Sequence, residues 1–263
     1  MAVDNAAEAD AARAPVQPSK WRLGGALWLL GMPGVVAVVW ALFPTLKANE
    51  ALLPLPLPLG AVLLLSGLQT AMLLALAVTL GVWLAPRVGL RVPAVSCLLV
   101  GQPIGPALRA QLVPGMVGGV AGAAWLWALS QVAPTALQPS DPASAMPLGV
   151  KLLYGGITEE LLVRRGMMTL LLWLGWRVLQ RGQRQPGKVL VVVAVLLSAL
   201  LFAFGHLPAA QALAGVLTMP VVAFVLVGNT VFGLVAGWLY ARHGLESAII
   251  AHVLAHLLSF PVL

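Results

Sequence analysis

The feature that most constrains the fold is a series of long apolar runs that together occupy most of the chain. Several of them reach the roughly 20 residues that a helix needs to cross a lipid bilayer. Of the 263 residues, 60% are hydrophobic and 9% are charged, and the mean hydropathy is +0.98. These values lie far outside the range of soluble globular domains. The sequence therefore predicts an all-α protein, a polytopic bundle of transmembrane helices.

The apolar runs predict about seven or eight membrane-spanning helices. Residues 88–112 hold three prolines and two arginines, which favours an interfacial or re-entrant segment. Residues 209–240 form an apolar stretch that is too long for one comfortable helix, and it is interrupted at Pro220 and at Gly228–Asn229. One crossing there gives about seven spans and two crossings give about eight. The other predicted spans are 23–43, 60–84, 115–132, 148–180, 189–206 and 247–260.

The basic residues indicate how the helices are oriented in the membrane. They concentrate at the ends of the apolar runs, as the positive-inside rule predicts for cytoplasmic loops. Most fall on one side of the predicted membrane, whereas Lys47 and Lys151 fall on the other. We therefore predict an integral, multi-pass protein of a bacterial cell membrane with a cytoplasmic N-terminus. The formal charge of +7 follows from this arrangement and does not indicate nucleic acid as a partner.

Composition also divides the chain into regions. Residues 1–19 carry three acidic side chains among alanines and no apolar core, a pattern typical of a disordered tail. The N-terminal transmembrane helices are predicted over residues 20–135, and a loop rich in proline and serine separates them from the helices that follow residue 146. Because Cys97 is the single cysteine, an intramolecular disulfide and a cysteine-based metal site are excluded.

The stretch Gly155–Arg165 places two adjacent carboxylates, Glu159 and Glu160, inside an apolar segment. An ionisable side chain within a bilayer costs about 3 kcal/mol or more and is by default a functional-site hypothesis. Glu160 and Arg164 are spaced i, i+4, which predicts a structural ion pair on one helix face. Glu159 points about 100° away around the helix axis. It has no basic partner nearby in the sequence, so it is the carboxylate left for chemistry.

Histidines are the other strong polar groups of the later helices. His206 ends one apolar run, and His252 and His256 share a helix face because they are four residues apart. A lone histidine in a membrane helix is often explained by a packing hydrogen bond. If three histidines and the glutamate pair were buried without contacting one another, several polar groups would be left unpaired. Each unpaired group would cost on the order of a kcal/mol or more. We therefore expect them to meet Glu159 in a polar cavity within the membrane.

The depth of these residues in their helices favours the version with eight spans, or a broken helix within residues 209–240. With eight spans, Glu159, His206 and His252 all approach the same membrane face. With seven, His252 starts from the opposite face. The shared face is the one that the basic residues indicate to be non-cytoplasmic.

Three ordered motifs resemble those of a known protease family. They are Glu-Glu-x-x-x-Arg at residues 159–164, Phe-x-x-x-His at residues 202–206 and His-x-x-x-His at residues 252–256. In this order on apolar helices, they resemble the CAAX protease and bacteriocin-processing family, the type II CAAX prenyl endopeptidase group. The resemblance implies a bundle of eight membrane helices with an intramembrane active site, and it defines residues 146–263 as the protease core.

The resemblance also implies a role for each motif residue. Glu159 would be the general base that activates a water molecule, His206 would help to hold that water, and His252 would lie beside the oxyanion. The last motif position is usually asparagine in the family and is His256 here. Both side chains can donate a hydrogen bond to an oxyanion, but histidine can also bind a metal ion.

The activity predicted from these residues is hydrolysis of a peptide bond by an intramembrane endopeptidase. Its partners would be the lipid bilayer and a peptide or protein substrate, including a membrane-anchored one. The predicted mechanism needs no cofactor, and the alternative is zinc held by Glu159, His206 and His252. Two other functions stay open: a transporter or proton relay, since carboxylate–histidine chains conduct protons, and a non-catalytic membrane scaffold.

Overall fold

The computed structural model describes residues 17–48, 50, 57–138, 146–183 and 185–259, so most of the predicted tail lies outside the described residues. Within these ranges the chain is helical apart from turns and connections. Two short 3-10 turns lie at Ala85–Val88 and Thr135–Leu137. The helices described are α1 (Lys20–Ala48), α2 (Leu59–Leu84), α3 (Pro93–Leu99), α4 (Ile104–Ser130), α5 (148–179), α6 (Lys188–Gly205), α7 (Leu207–Ala214), α8 (Met219–Arg242) and α9 (Leu245–Ser259).

Several of these helices can cross a bilayer, where a helix satisfies all of its backbone polar groups internally. The predicted helical membrane bundle is thus confirmed, and the number of spans stays a prediction. Helix α9 is apolar but shorter than a full crossing. Among the described residues, the stretches long and apolar enough to cross are Lys20–Ala48, Leu59–Val88, Ile104–Ser130, Lys188–Ala214 and Met219–Arg242.

Two predicted segments differ from the structure. Helix α8 runs unbroken through Gly228 and Asn229, so the interruption predicted there is wrong. Pro220 lies in the first turn of α8, where the missing backbone N–H costs no hydrogen bond. Helix α4 already begins at Ile104, so the irregular segment predicted over residues 88–112 is confined to α3 and its flanks.

A broken helix was also not needed to bring His252 to the site. Helix α9 follows α8 after a connection of two residues, His243 and Gly244, and therefore runs antiparallel to it. His252 lies seven residues after Leu245, which is about two helical turns into α9. This depth lets His252 reach Glu160 of α5 without a second crossing between residues 209 and 240.

Helix α5 is continuous but is not α-helical throughout. It consists of one turn at Leu148–Val150, a π-helical part at Lys151–Met168 and an α-helical part at Thr169–Leu179. In π-helix the backbone bonds span five residues, a rare winding that frequently occurs at functional sites. Thr169 shows the same spacing, because its hydroxyl donates to the carbonyl of Arg164, five residues earlier, over 3.2 Å. The Thr158 hydroxyl oxygen likewise lies 3.3 Å from the carbonyl oxygen of Leu153. The hydrophobic pattern predicts a helix here but not this winding.

Helix α1 contacts α5 through its backbone. The Thr158 hydroxyl donates to the Gly31 carbonyl over 2.7 Å. A Cβ atom on Gly34 would overlap that hydroxyl and stand 2.5 Å from the carbonyl oxygen of Leu153. The absence of a side chain at Gly34 therefore sets how closely α1 approaches the helix that carries the two glutamates.

We expect Gly34→Ala to destabilise the protein by about 1–3 kcal/mol, the usual cost of overpacking a tight contact. Gly25, in the same helix, provides the matched control because a Cβ there would meet nothing within 4 Å. Gly25→Ala should be as stable as the wild type or up to about 1 kcal/mol more stable, since alanine is the better helix former. Thermal unfolding of both variants in one detergent checks this. Equal unfolding temperatures would contradict the tight contact.

Helix α4 presents glycines to α9. A Cβ on Gly115 would stand 2.9 Å from Ile250, and a Cβ on Gly119 would stand 2.7 Å from Leu254. Small residues let membrane helices approach closely. Helix α9 is therefore held in the interior of the bundle, and most of its described residues are buried or half-buried.

Basic residues gather at one end of the bundle. The Lys20 ammonium lies 3.8 Å from the centre of the Trp83 ring, so the start of α1 and the end of α2 lie together. The backbone N–H of Leu245 donates to the Arg91 carbonyl, which places the start of α9 at the same end. That this end is cytoplasmic stays a prediction.

Candidate active site

The four residues predicted to be catalytic line one cavity of about 760 Å³. Glu159 comes from the π-helical part of α5, His206 follows the end of α6, and His252 and His256 come from α9. Apolar side chains of α1, α4, α5, α6 and α8 form most of the remaining wall. The structure thus brings side chains from three separate helical segments to one place inside the bundle.

Glu160 lies behind this cavity and is fully buried. Its Oε2 atom lies 3.3 Å from Nε of Arg164, so the predicted pair is in contact. Its Oε1 atom accepts a hydrogen bond from Nδ1 of His252 over 2.8 Å, a contact that the sequence did not predict. Because an ionised carboxylate can only accept, Nδ1 of His252 carries the proton. Nε2 is the ring nitrogen left for the cavity.

Phe202 explains the spacing of the Phe-x-x-x-His motif. Its carbonyl accepts a hydrogen bond from Nδ1 of His206 over 2.8 Å, and the two ring centres lie 4.6 Å apart. The guanidinium carbon of Arg164 lies 4.9 Å from the centre of the same phenyl ring, within the range of a cation–π contact. Phe202 therefore connects the buried pair to the cavity. It also fixes the tautomer of His206, whose Nε2 is left as an acceptor.

The two histidines of α9 face the helix that carries Glu159. The rings of His252 and His256 stack with their centres 4.9 Å apart, and Phe232 packs 4.6 Å from His252. A Cβ on Gly155 would stand 3.0 Å from Nε2 of His256 and 3.8 Å from Nε2 of His252. Both Nε2 atoms therefore lie against α5 at Gly155, about one turn before Glu159.

The two adjacent glutamates have different surroundings. Glu159 is half-buried in the cavity wall, and Tyr154, five residues earlier in the π-helical part, lies on the same wall. Glu160 has no exposed surface and contacts Arg164 and His252. Only Glu159 of the pair is placed where a water molecule or a substrate could meet it.

The geometry also bears on the zinc alternative. His206 uses its Nδ1 in a hydrogen bond to the Phe202 carbonyl, and His252 uses its Nδ1 in a hydrogen bond to Glu160. One ring nitrogen of each histidine is therefore left for the cavity. Across the ranges that the structure describes, no group of three or more His, Cys, Asp or Glu side chains is placed to hold a metal ion. In the zinc alternative, the Glu159 carboxylate and the remaining ring nitrogens of His206 and His252 would be the ligands.

Four polar residues of the cavity are absent from the sequence-based prediction of the site: Ser130, Lys151, Tyr154 and Asn229. Lys151 was interpreted only as an indicator of orientation, and Asn229 only as part of a helix break. The signal that could have identified them is the one that identified Glu159. Each is a polar side chain within a segment that otherwise reads as membrane-spanning helix.

Comparison with known proteins gives one result for this region. The family model described as type II CAAX prenyl endopeptidase Rce1-like matches residues 141–258, a range that contains all three motifs. Searches of curated proteins and of solved structures found no match for the chain. Residues 141–258 of this chain are therefore similar to the type II CAAX prenyl endopeptidase Rce1-like family.

Proposed function

We propose that this protein is an intramembrane endopeptidase in which Glu159 activates the water molecule that attacks the peptide bond. The observation that carries the proposal is that Glu159, His206, His252 and His256 line a single cavity. The match to that family model supports a peptidase acting on a peptide or protein substrate. The apolar helices around the cavity support a site within the membrane and a membrane-anchored substrate.

In the proposed reaction, Glu159 takes a proton from water, and Nε2 of His206 accepts a hydrogen bond from the other O–H. The water oxygen then forms a bond to the carbonyl carbon, and the electron pair of the carbonyl double bond moves onto its oxygen. The electron pair of the oxyanion then re-forms the carbonyl double bond as the C–N bond breaks, and the proton held by Glu159 passes to the leaving nitrogen. A general base of this kind typically contributes about 10²- to 10⁴-fold in rate.

Stabilisation of the oxyanion falls to the two histidines of α9. Their Nε2 atoms lie against α5 close to Glu159, so a carbonyl attacked from the Glu159 side has both imidazoles nearby. Because Nδ1–H of His252 already bonds Glu160, this ring offers a second donor, Nε2–H, as imidazolium. The Glu160 carboxylate balances that charge. A preorganised donor to an oxyanion is worth about 10²- to 10³-fold in kcat.

The test is cleavage by the purified protein reconstituted in liposomes. The probe is an internally quenched peptide that ends in a prenylated Cys-aliphatic-aliphatic-X sequence, the substrate class in the name of the family. We expect a rise in fluorescence, with a single cut identified by mass spectrometry. Absence of cleavage of this peptide and of its unprenylated form, together with proton flux across the liposomes that Glu159→Gln abolishes, would overturn the proposal in favour of a proton relay.

The proposed reaction needs no metal ion, because base, water-holding and oxyanion roles are all assigned to side chains. We therefore expect dialysis against a strong zinc chelator to leave most of the cleavage activity of the wild type. Activity is compared before and after dialysis and after addition of zinc. Loss on chelation with recovery in zinc would contradict a metal-free mechanism and make His256 a candidate ligand.

A further inference from the structure

We infer that Asn229 is a further catalytic residue, whose side-chain amide donates a hydrogen bond to the substrate carbonyl oxygen as that oxygen becomes negative. Because the hydrolysis itself is proposed above, this role rests on the proposed function. Asn229 lines the same cavity as Glu159 and the three histidines. It lies near the middle of α8, within a run of apolar residues.

The hydrogen bonds of Asn229 leave one donor for the cavity. Its Nδ2 atom donates to the carbonyl of Val225, one turn earlier, over 2.9 Å. A primary amide has two N–H groups, so this bond accounts for one of them. Asn229 is half-buried and borders the cavity, which makes the second N–H available to a bound peptide.

The antiparallel arrangement of α8 and α9 places Asn229 at the same level of the bundle as His256. The ring centres of Phe232 and His252 lie 4.6 Å apart, which sets these two residues at the same level of the bundle. Asn229 lies three residues before Phe232, about 4.5 Å back along α8. His256 lies four residues after His252, about 6 Å forward along α9. Since the two helices run in opposite directions, Asn229 and His256 are both displaced toward the same end of the bundle.

Asn229 provides the cavity with a side-chain amide from α8, the helix that faces α9. In the resemblance described above, the residue at position 256 is usually asparagine, and this chain has histidine there. Asn229 carries the same functional group on the facing helix, at the level of His256. The amide that α9 lacks is therefore supplied by α8.

The backbone around Asn229 is held in place by α4. The indole Nε1 of Trp125 donates to the Gly228 carbonyl over 3.0 Å. A donor that is fixed before the substrate binds needs no rearrangement when charge develops on the oxyanion, and this is the condition under which such donors are most effective.

The experiment compares Asn229→Thr with the wild type on the prenylated quenched peptide. Threonine has a single hydroxyl proton, which can bond the carbonyl four residues earlier in a helix and so replace the contact with Val225. Residue 229 then has no donor left for the substrate. We expect kcat to fall by about 10²- to 10³-fold, with KM and the unfolding temperature unchanged. Should Asn229→Thr unfold earlier than the wild type, Asn229→Ser offers the same single proton in a smaller side chain.

A rescue variant separates this role from a structural one. His256→Asn places an amide on α9, so adding Asn229→Thr to it should cost less than about tenfold in kcat, well below the loss expected for Asn229→Thr alone. Unchanged kcat in Asn229→Thr alone would overturn the assignment, and so would an equal loss with and without His256→Asn. Wild-type protein that cleaves no peptide would instead contradict the proposed function.

Discussion

Glu159→Gln should give a protein that folds, inserts and binds peptide but hardly cleaves it. The substitution keeps the size of the side chain and removes the carboxylate that would accept the proton of the attacking water. We expect kcat to fall by about 10²- to 10⁴-fold, the usual contribution of a general base. KM should change little, because the lost interaction with water develops in the transition state. Stability should hold because Glu159 is only half-buried, in a cavity wall.

Glu50→Gln is the matched control for this experiment. Glu50 is exposed and lies between α1 and α2, so the same chemical change there should leave kcat and KM as in the wild type. Steady-state kinetics on the quenched peptide, with the unfolding temperature of each protein, give the comparison. Robust cleavage by Glu159→Gln would remove the central role assigned to this residue.

The apolar runs allowed much of the fold to be predicted. Helix α2 begins at Leu59 and ends at Leu84, within one residue of the predicted 60–84, because prolines flank both ends, Pro58 before it and Pro86 after it. Helix α4 begins eleven residues before the predicted start at 115. The prolines and arginines there favour an interfacial or re-entrant segment, but Pro106 lies in the first turn of α4, where proline is tolerated.

The site was predicted less completely, because several of its contacts depend on packing between helices. The spacing of Glu160 and Arg164 is local, and a pattern on one helix is enough to predict it. The bond between Glu160 and His252 joins residues 92 positions apart, which no local spacing encodes. No local spacing encodes the shared level of Asn229 and His256 either. Its prediction requires knowing that α8 is unbroken and antiparallel to α9.

Glu160→Gln should have the largest effect on stability. The carboxylate of Glu160 is fully buried against Arg164, which is itself fully buried. Removing one charge leaves the other without compensation, and breaking a buried pair in this way typically costs about 3–5 kcal/mol. We expect a lower unfolding temperature in detergent, a lower yield of folded protein, and reduced cleavage.

The double variant Glu160→Gln, Arg164→Met shows whether Glu160 serves stability alone. Removing both charges should recover a large part of the lost stability, since replacing a buried ion pair by groups of similar volume is often neutral. Methionine retains the length needed to pack near Phe202. Cleavage should nevertheless stay low, because the neutral amide next to Nδ1 of His252 no longer balances an imidazolium. Recovery of stability without recovery of cleavage would show that one carboxylate holds α5 together and also prepares His252. Full recovery of both would assign Glu160 to folding alone, and a stable, fully active Glu160→Gln enzyme would contradict both roles.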